Sequence, residues 1–415
     1  MTGALGFAGE LERRLGACID FASELVRTPS ENPPGDTGAA AEMVESYLRA
    51  KGVTVDRFEP APGRHGLVAR LDSGRPGPRL VYCAHLDVFP VGDRALWSSD
   101  PFAGEVRDGR LWGRGASDMK GALAASLTAF LALRDAGLPD RGAVALLLVS
   151  DEETGGSFGT EWALSHFPDL VGDACVIGEP SGTDVVRVGE KGQLWVRLEA
   201  QGDGYHGGIA DGTESGWRLL RAAQAVGSLA GRRYPVPPEH AEVIAASESY
   251  GWTRQLAGRE WLFTAVSVNL GVLSGGVKVN MSPTSAVAEL DLRLPLGAEP
   301  AVILDEIEQL VAPFAVKVVP LLAHPCAATM SPIESAVARA ALEVTAGVTG
   351  GPVPAVMAPT YTDARFFRRR GVPSVVYGPR PYNMGGPDES ITIEDLRRTL
   401  QVHGLVGWRL LGGAA

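Results

Sequence analysis

Four short stretches carry side chains of the kinds that bind cations and move protons. In AHLDV, His85 and Asp87 flank a leucine at the end of an apolar run. An imidazole there can ligate a metal while the carboxylate holds its other nitrogen, or the pair is a structural hydrogen bond. In LWGRGASDMKG, Asp118 stands at the mouth of a glycine-rich turn before a long helical segment, where it either bridges cations or caps the helix. SDEETGG sets three acids in a row, and neighbouring carboxylates repel one another unless a cation or solvent compensates. Glu152 and Glu153 then need different roles, one binding metal and the other taking a proton from a bound water. A solvated acidic turn is the alternative. VIGEPSG repeats the pattern with Glu179. Each stretch has a bland explanation, but the bland explanations would have to coincide in all of them.

Each stretch adjoins an element able to hold it still. RLVYCAHLDV, AVALLLVS and ACVIGEP are continuous apolar runs, the pattern of strands buried on both faces of a sheet between helices. In open sheets of that kind ligands bind beyond the C-terminal strand ends, where these acids and His85 fall. Periodicity predicts helices at about Glu10 to Val26 and Ala39 to Lys51, and GALAASLTAFLALRDAG reads as a long helix after Asp118. From about Val188 the character changes. QLWVRLEAQG, FTAVSVNLGVLSGG and SAVAELDLRLPLG alternate apolar with polar residues around the helical WRLLRAAQAVGSLA, as strands exposed on one face do. VPSVVYGP then restores the buried-strand theme. The expected fold is α/β: a catalytic domain with a mostly parallel sheet flanked by helices, from residues 1–187 and 326–415, and an α+β domain inserted at 188–325.

The 415-residue chain is 45% hydrophobic and 21% charged, enough for real cores. A formal charge of -11 argues against a general nucleic-acid or membrane-surface binder, since both attract basic faces. No stretch approaches the roughly 18 uncharged apolar residues of a membrane span, and the N-terminus lacks a secretory pattern, so a cytoplasmic location is the default expectation. Cys18, Cys83, Cys175 and Cys326 are far apart and form no paired metal motif; they are expected to be reduced, in or near the core.

In this order and at these spacings, AHLDV, GRGASDMKG, SDEETGG and IGEPSG resemble the cocatalytic-zinc aminoacylase and carboxypeptidase family, which includes acetylornithine deacetylase, succinyl-diaminopimelate desuccinylase, carboxypeptidase G and aminoacylase. The resemblance runs from SENPPG to the final helix. It implies that His85 ligates one metal with Asp87 behind it, that Asp118 bridges two metals, that Glu153 ligates the second and that Glu179 completes the first. Glu152 would be the general base for a metal-activated water. The implied cofactor is a divalent metal, Zn or Mn with Co as a third option, one or two per chain. The inserted domain would be a lid that also forms a homodimer or higher homo-oligomer. Within it, GDGYHGG resembles the segment whose histidine, here His206, stabilises the tetrahedral oxyanion. Asn280 in VNMSP and Arg293 in ELDLRLP match further family positions, Arg293 as an anchor for a substrate carboxylate. PTYTDARFF resembles a stretch near the substrate, which points to Thr362, Asp363 and Arg365 as pocket residues; a structural helix start is the alternative. Tyr205, Tyr361 and Tyr382 either line an aromatic pocket or pack half-buried.

One position departs from the family pattern. NMGGPDE matches Asn-Ala-His-Ala-Pro-Asp-Glu, the loop that supplies the remaining ligand of the second metal, and the histidine falls on Gly385. Glycine has no donor atom, and the thioether of Met384 suits neither zinc among carboxylates nor manganese. Three outcomes follow: a single-metal enzyme using His85, Asp118 and Glu179; a second site completed by water, a carbonyl or substrate; or a non-catalytic small-molecule-binding relative. Intact Glu152 favours the first two. The expected reaction is hydrolysis of the amide C–N bond of an N-acyl amino acid or small peptide. Hydrolysis of another C–N bond, N-carbamoyl or aromatic amine, is the alternative an altered metal site makes more credible.

Overall fold

The computed structural model describes residues 3–250 and 258–413. The chain divides into two compact units, one of Met1–Val188, Ser331–Val356 and Thr362–Ala415, the other of Gly189–Met330 with Met357–Tyr361. The first opens with helices α1 (Ala4–Val26) and α2 (Gly38–Ala50) and strands β1 (Val55–Phe58), β2 (Gly66–Asp72) and β3 (Arg79–His85). A ribbon of β4 (Val106–Arg107) and β5 (Arg110–Trp112) leads through an irregular turn into α3 (Gly121–Asp135), followed by β6 (Ala143–Val149), α4 (Thr160–His166), β7 (Ala174–Ile177) and β8 (Val186–Glu190). The second unit holds β9 (Gly192–Gln201), α5 (Ser215–Gly227), α6 (Ala241–Ser249), β10 (Ser267–Gly275), β11 (Ser285–Leu294), α7 (Pro300–Val311), β12 (Lys317–Pro320) and β13 (Thr329–Met330). The chain closes with α8 (Ala336–Thr349), β14 (Ala355–Ala358), α9 (Ala364–Arg368), β15 (Ser374–Val376), β16 (Ser390–Thr392) and α10 (Ile393–Leu410).

In the first unit the strands follow the order β1-β2-β6-β3-β7-β15-β8. The centre, β6-β3-β7-β15, is parallel, and β1, β2 and β8 join it antiparallel. The α/β class with a mostly parallel sheet is thus as expected. The apolar runs explain it: β6 is buried from Val144 to Val149 and β3 from Leu80 to His85, as strands covered on both faces must be. Helix α3, rich in Ala and Leu on every side, is buried from Gly121 to Leu133 and packs against α1, α10 and β3. Helix α10 begins where Thr392 Oγ1 accepts a hydrogen bond from the Asp395 amide, with Glu394 and Asp395 in the first turn favoured by the helix dipole. All four cysteines are free and buried, and none of the described helices is long and apolar enough to cross a membrane.

The second unit has an antiparallel sheet in the order β10-β11-β9-β12. One face carries Leu194, Val196 and Leu198 of β9 against Leu219 of α5 and Ile303 and Ile307 of α7. On the other face Trp195 Nε1 donates to Asp291 Oδ1 (2.8 Å) and Arg197 Nε to Glu289 Oε1 (2.9 Å) across the strands. Strand β10 departs from the expected one-sided exposure: from Asn269 to Gly275 it is exposed on both faces. It lies at the edge of its sheet with only β11 beside it among the described residues, which leaves its outer hydrogen-bonding side bare as well.

Candidate metal centre

Three adjacent parallel strands deliver the chemistry. His85 ends β3, Glu152 and Glu153 follow β6 on a short turn, and Glu179 follows β7, all at C-terminal strand ends. Asp118 arrives from the irregular turn before α3. His85 Nε2 lies 3.0 Å from Asp118 Oδ1 and 3.2 Å from Glu179 Oε1. Possible ligand atoms of His85, Glu152 and Glu179 lie within 4.8 Å of one another, as do those of His85, Asp118 and Glu153. Both groups share His85, so four carboxylates expected with it from the sequence, Asp118, Glu152, Glu153 and Glu179, lie around one imidazole.

Their electrostatics are those of a site built for positive charge. Burial, then the charge of Glu179, pushes the Glu152 carboxyl well above its ordinary range; burial, then Asp118, does the same to Glu153. Burial and Asp118 push Glu179 up to about 7. Burial opposes protonation of His85, but Glu179 and Asp118 outweigh it and raise the imidazole well above normal. Glu153 Oε1 is buried with no hydrogen-bond partner among the described residues, an arrangement that costs about 1–3 kcal/mol unless something else pairs with it. One imidazole nitrogen among carboxylate oxygens fits a divalent ion such as Zn, Mn or Co.

The supporting shell shows how these groups are held. His85 Nδ1 sits 2.8 Å from the backbone carbonyl of Asp87, while the Asp87 carboxylate is 3.6 Å away. The carbonyl, more than the expected carboxylate, sets the ring tautomer. Asp87 Oδ2 instead accepts from Asn32 Nδ2 (2.8 Å) and from the Glu153 amide (3.2 Å), and Asn32 Nδ2 also reaches Thr154 Oγ1 (3.0 Å). Asn32, in the SENPPG segment, therefore ties the first loop to the acid turn.

The loop at residues 382–389 resolves into a strut. Glu389 is fully buried, pairs with Arg114, and accepts from the amides of Ser117 (2.9 Å) and Asp118 (3.2 Å). Arg114 in turn donates to the carbonyls of Gly385 (2.9 Å) and Pro90 (3.2 Å). Burial pushes Glu389 up to about 7 against the pull of Arg114. Glu389 is one of the loop acids that a cation or a basic substrate would attract, but its carboxylate turns to Arg114, a partner 275 positions away that no local pattern announces.

Thr362 and Arg365 were expected at the substrate. Thr362 is buried and its Oγ1 accepts from the Ala364 amide at the start of α9 (3.1 Å), the structural alternative. Arg365 does not offer its guanidinium to solvent: the side chain is 2% exposed and Nη1 lies 3.7 Å from Glu152 Oε1. Asp363 is also buried and accepts from Thr160 Oγ1 (2.6 Å). His206, Asn280 and Arg293 belong to the second unit. There His206 and Asn280 are exposed neighbours, the Gly207 amide donating to Asn280 O (2.9 Å). Arg293 is half-buried, bound to Asp291 (2.9 Å) and stacked 4.8 Å over Tyr361, and its Nη1 has no partner among the described residues.

Comparison with known proteins agrees with this geometry. The model of peptidase family M20/M25/M40 matches residues 81–406. The succinyl-diaminopimelate desuccinylase of Gluconacetobacter diazotrophicus is 40% identical over 213 residues, 49% of this chain and 52% of that enzyme, so that match spans about half the relative's length. That of Methylobacterium radiotolerans is 31% identical over 416 residues, covering 94% of this chain and 96% of the enzyme. In fold, the M20 family metallo-carboxypeptidase Sso-CP2 from Sulfolobus solfataricus superposes with a TM-score of 0.78 at 21% identity, over 94% of this chain and 98% of that one. These findings put the chain among the metallohydrolases that act on amide bonds. It belongs to peptidase family M20/M25/M40.

Proposed function

We propose that the protein hydrolyses the amide bond of an N-acyl amino acid or small peptide. The observation that carries this reading is the convergence of His85, Asp118, Glu153 and Glu179 with Glu152 beside them. His85, Asp118 and Glu179 would hold one divalent cation, and Asp118 with Glu153 a second. When bound, such an ion supplies Lewis acidity to a water and to the acyl oxygen. Glu152 takes the proton released as water attacks the acyl carbon and returns it to the leaving nitrogen. His206 donates to the developing oxyanion. Arg293 Nη1, buried without a partner among the described residues, is a ready donor for a substrate carboxylate. Screening N-acyl amino acids including N-succinyl-L,L-diaminopimelate, dipeptides and aryl amines with Zn-, Mn- and Co-loaded protein tests the reading. Turnover confined to aryl amines or N-carbamoyl compounds would replace it with the aminohydrolase alternative.

Gly385 favours a centre that keeps one ion tightly. Its φ of 72° lies in the left-handed region, and a Cβ built there would meet the Phe89 ring at 3.7 Å, an ordinary contact. A side chain can therefore start there without a clash at Cβ, at a backbone cost of about 1–2 kcal/mol. Gly385→His is expected to raise bound zinc from about one to about two ions per chain, read by mass spectrometry of the protein. An unchanged count means that this position is not where the second ion lacks its ligand.

We further propose that the second unit joins two copies into a homodimer. Leu270, Val272 and Leu273 are exposed on the edge strand β10, and Leu273 borders a groove of about 500 Å³ together with Trp217 and Leu220 of α5. A long, bare, apolar edge invites pairing with another strand, and an identical edge satisfies it symmetrically. Leu273→Arg is expected to convert a dimer into monomers in sedimentation velocity. A wild-type protein that sediments as a monomer at micromolar concentration would exclude this interface.

A further inference from the structure

Arg365 is pinned from several sides in the first unit. Nη1 donates to Thr362 O (2.7 Å), at the start of α9, and Nη2 to Gly155 O (2.9 Å), at the end of the turn that carries Glu152. The guanidinium carbon lies 4.3 Å over the Phe366 ring. Burial of long Arg side chains is costly, and one held by two carbonyls and a ring has lost almost all rotamer freedom. What it faces is the Glu152 carboxylate, Nη1 lying 3.7 Å from Oε1, and its charge also acts on Asp363. The turn itself is packed onto the same helix: a Cβ on Gly156 would strike the Phe366 ring at 2.6 Å, and Thr160 is bonded to Asp363. Helix α9 and the acid turn thus behave as one block, with the guanidinium as its charged joint.

We propose that Arg365 is a positioning residue for Glu152: a fixed cation, out of reach of substrate, that orients the carboxylate toward the attacking water. Neutral packing would hold the turn as well but would leave Glu152 drawn toward His85, on the metal side, and repelled by Glu179 and Asp363. The guanidinium, held on the α9 side, draws Glu152 Oε1 back against the pull of His85, while the carboxylate keeps an oxygen near His85 and Glu179. Misorientation of a proton acceptor by about an ångström costs on the order of 10²-fold in rate.

This inference rests on Glu152 as the base, and the test separates the two. Zinc-loaded wild type, Arg365→Lys, Arg365→Met and Glu152→Gln, alone and combined, are assayed on the N-acyl amino acids of the screen. Arg365→Met is expected to lower kcat about 10²-fold with KM changed less than about twofold and zinc content unchanged. Arg365→Lys recovers part of the loss, and millimolar guanidinium restores part of the activity of the Met variant. In the Glu152→Gln background, Arg365→Met causes no further loss, because the two act as a unit. An equal loss in both backgrounds, a loss of zinc, or an unchanged kcat overturns the proposal. Should Arg365→Met not fold, failure of the soluble Lys variant to differ from wild type in kcat, against normal zinc content, overturns it equally. If Glu152→Gln retains full activity, the parent reading falls and this one with it.

Discussion

Replacing Glu152 by glutamine lowers kcat by about 10³-fold while zinc content is unchanged and the metal-free protein melts no lower than wild type. Glutamine keeps the volume of the side chain and an acceptor oxygen, but it cannot hold a proton at the pH of catalysis. The stability side of the expectation follows from the site's charges. Glu152 is buried beside Glu179, and burial together with that neighbour raises its carboxyl well above the ordinary range. Removing an acid in such a place removes repulsion, so a fall in activity cannot be ascribed to a fall in stability. A non-catalytic relative predicts a different result, since its ligand binding would be indifferent to proton transfer and no activity would be lost. Hydrolysis at the wild-type rate by Glu152→Gln protein would end the assignment of Glu152 as the base, whatever the metal content.

The parts of the molecule legible in the sequence are those where local pattern and tertiary role coincide. Continuous apolar runs specified β3, β6 and β7, because a strand covered on both faces has no polar side to show. The polar residues that end those runs had to lie at the sheet's C-terminal edge, and His85, Glu152, Glu153 and Glu179 do meet there with Asp118. What stayed hidden depends on partners distant in sequence or on backbone atoms. The carbonyl of Asp87, not only its carboxylate, addresses His85, and no side-chain pattern announces a carbonyl. Arg365 sits in a stretch that resembles a substrate segment, yet its guanidinium turns inward to Glu152, a direction fixed by the packing of α9 on the acid turn. The alternation in β10 reads as a half-buried strand, whereas Asn269 to Gly275 are exposed whichever way they point. Alternation reports a period, not what covers each face.

The loop that ends in Glu389 supports the centre from behind, and its removal has a second large expected effect. Glu389→Ala leaves the Arg114 guanidinium buried without its carboxylate, which costs about 3–5 kcal/mol in comparable buried pairs. The Ser117 and Asp118 amides lose their acceptor at the same time, and each orphaned donor costs about 1–3 kcal/mol where water cannot replace it. These losses share one carboxylate and do not add, so the pair cost is the safer expectation for a urea unfolding midpoint. Asp118 is held to this strut through its own amide, so slack there displaces the side chain that faces His85. Zinc affinity should fall by about 10- to 100-fold, as it does when supports behind metal ligands are lost. The double substitution Arg114→Met with Glu389→Leu separates the two effects. Replacing a buried ion pair by apolar side chains of similar volume commonly restores stability, but leucine offers the Asp118 amide no acceptor. Stability should therefore return in large part while zinc affinity stays low. Recovery of both would show that the pair serves packing alone, and wild-type zinc affinity in Glu389→Ala would show that Asp118 holds its place without the strut.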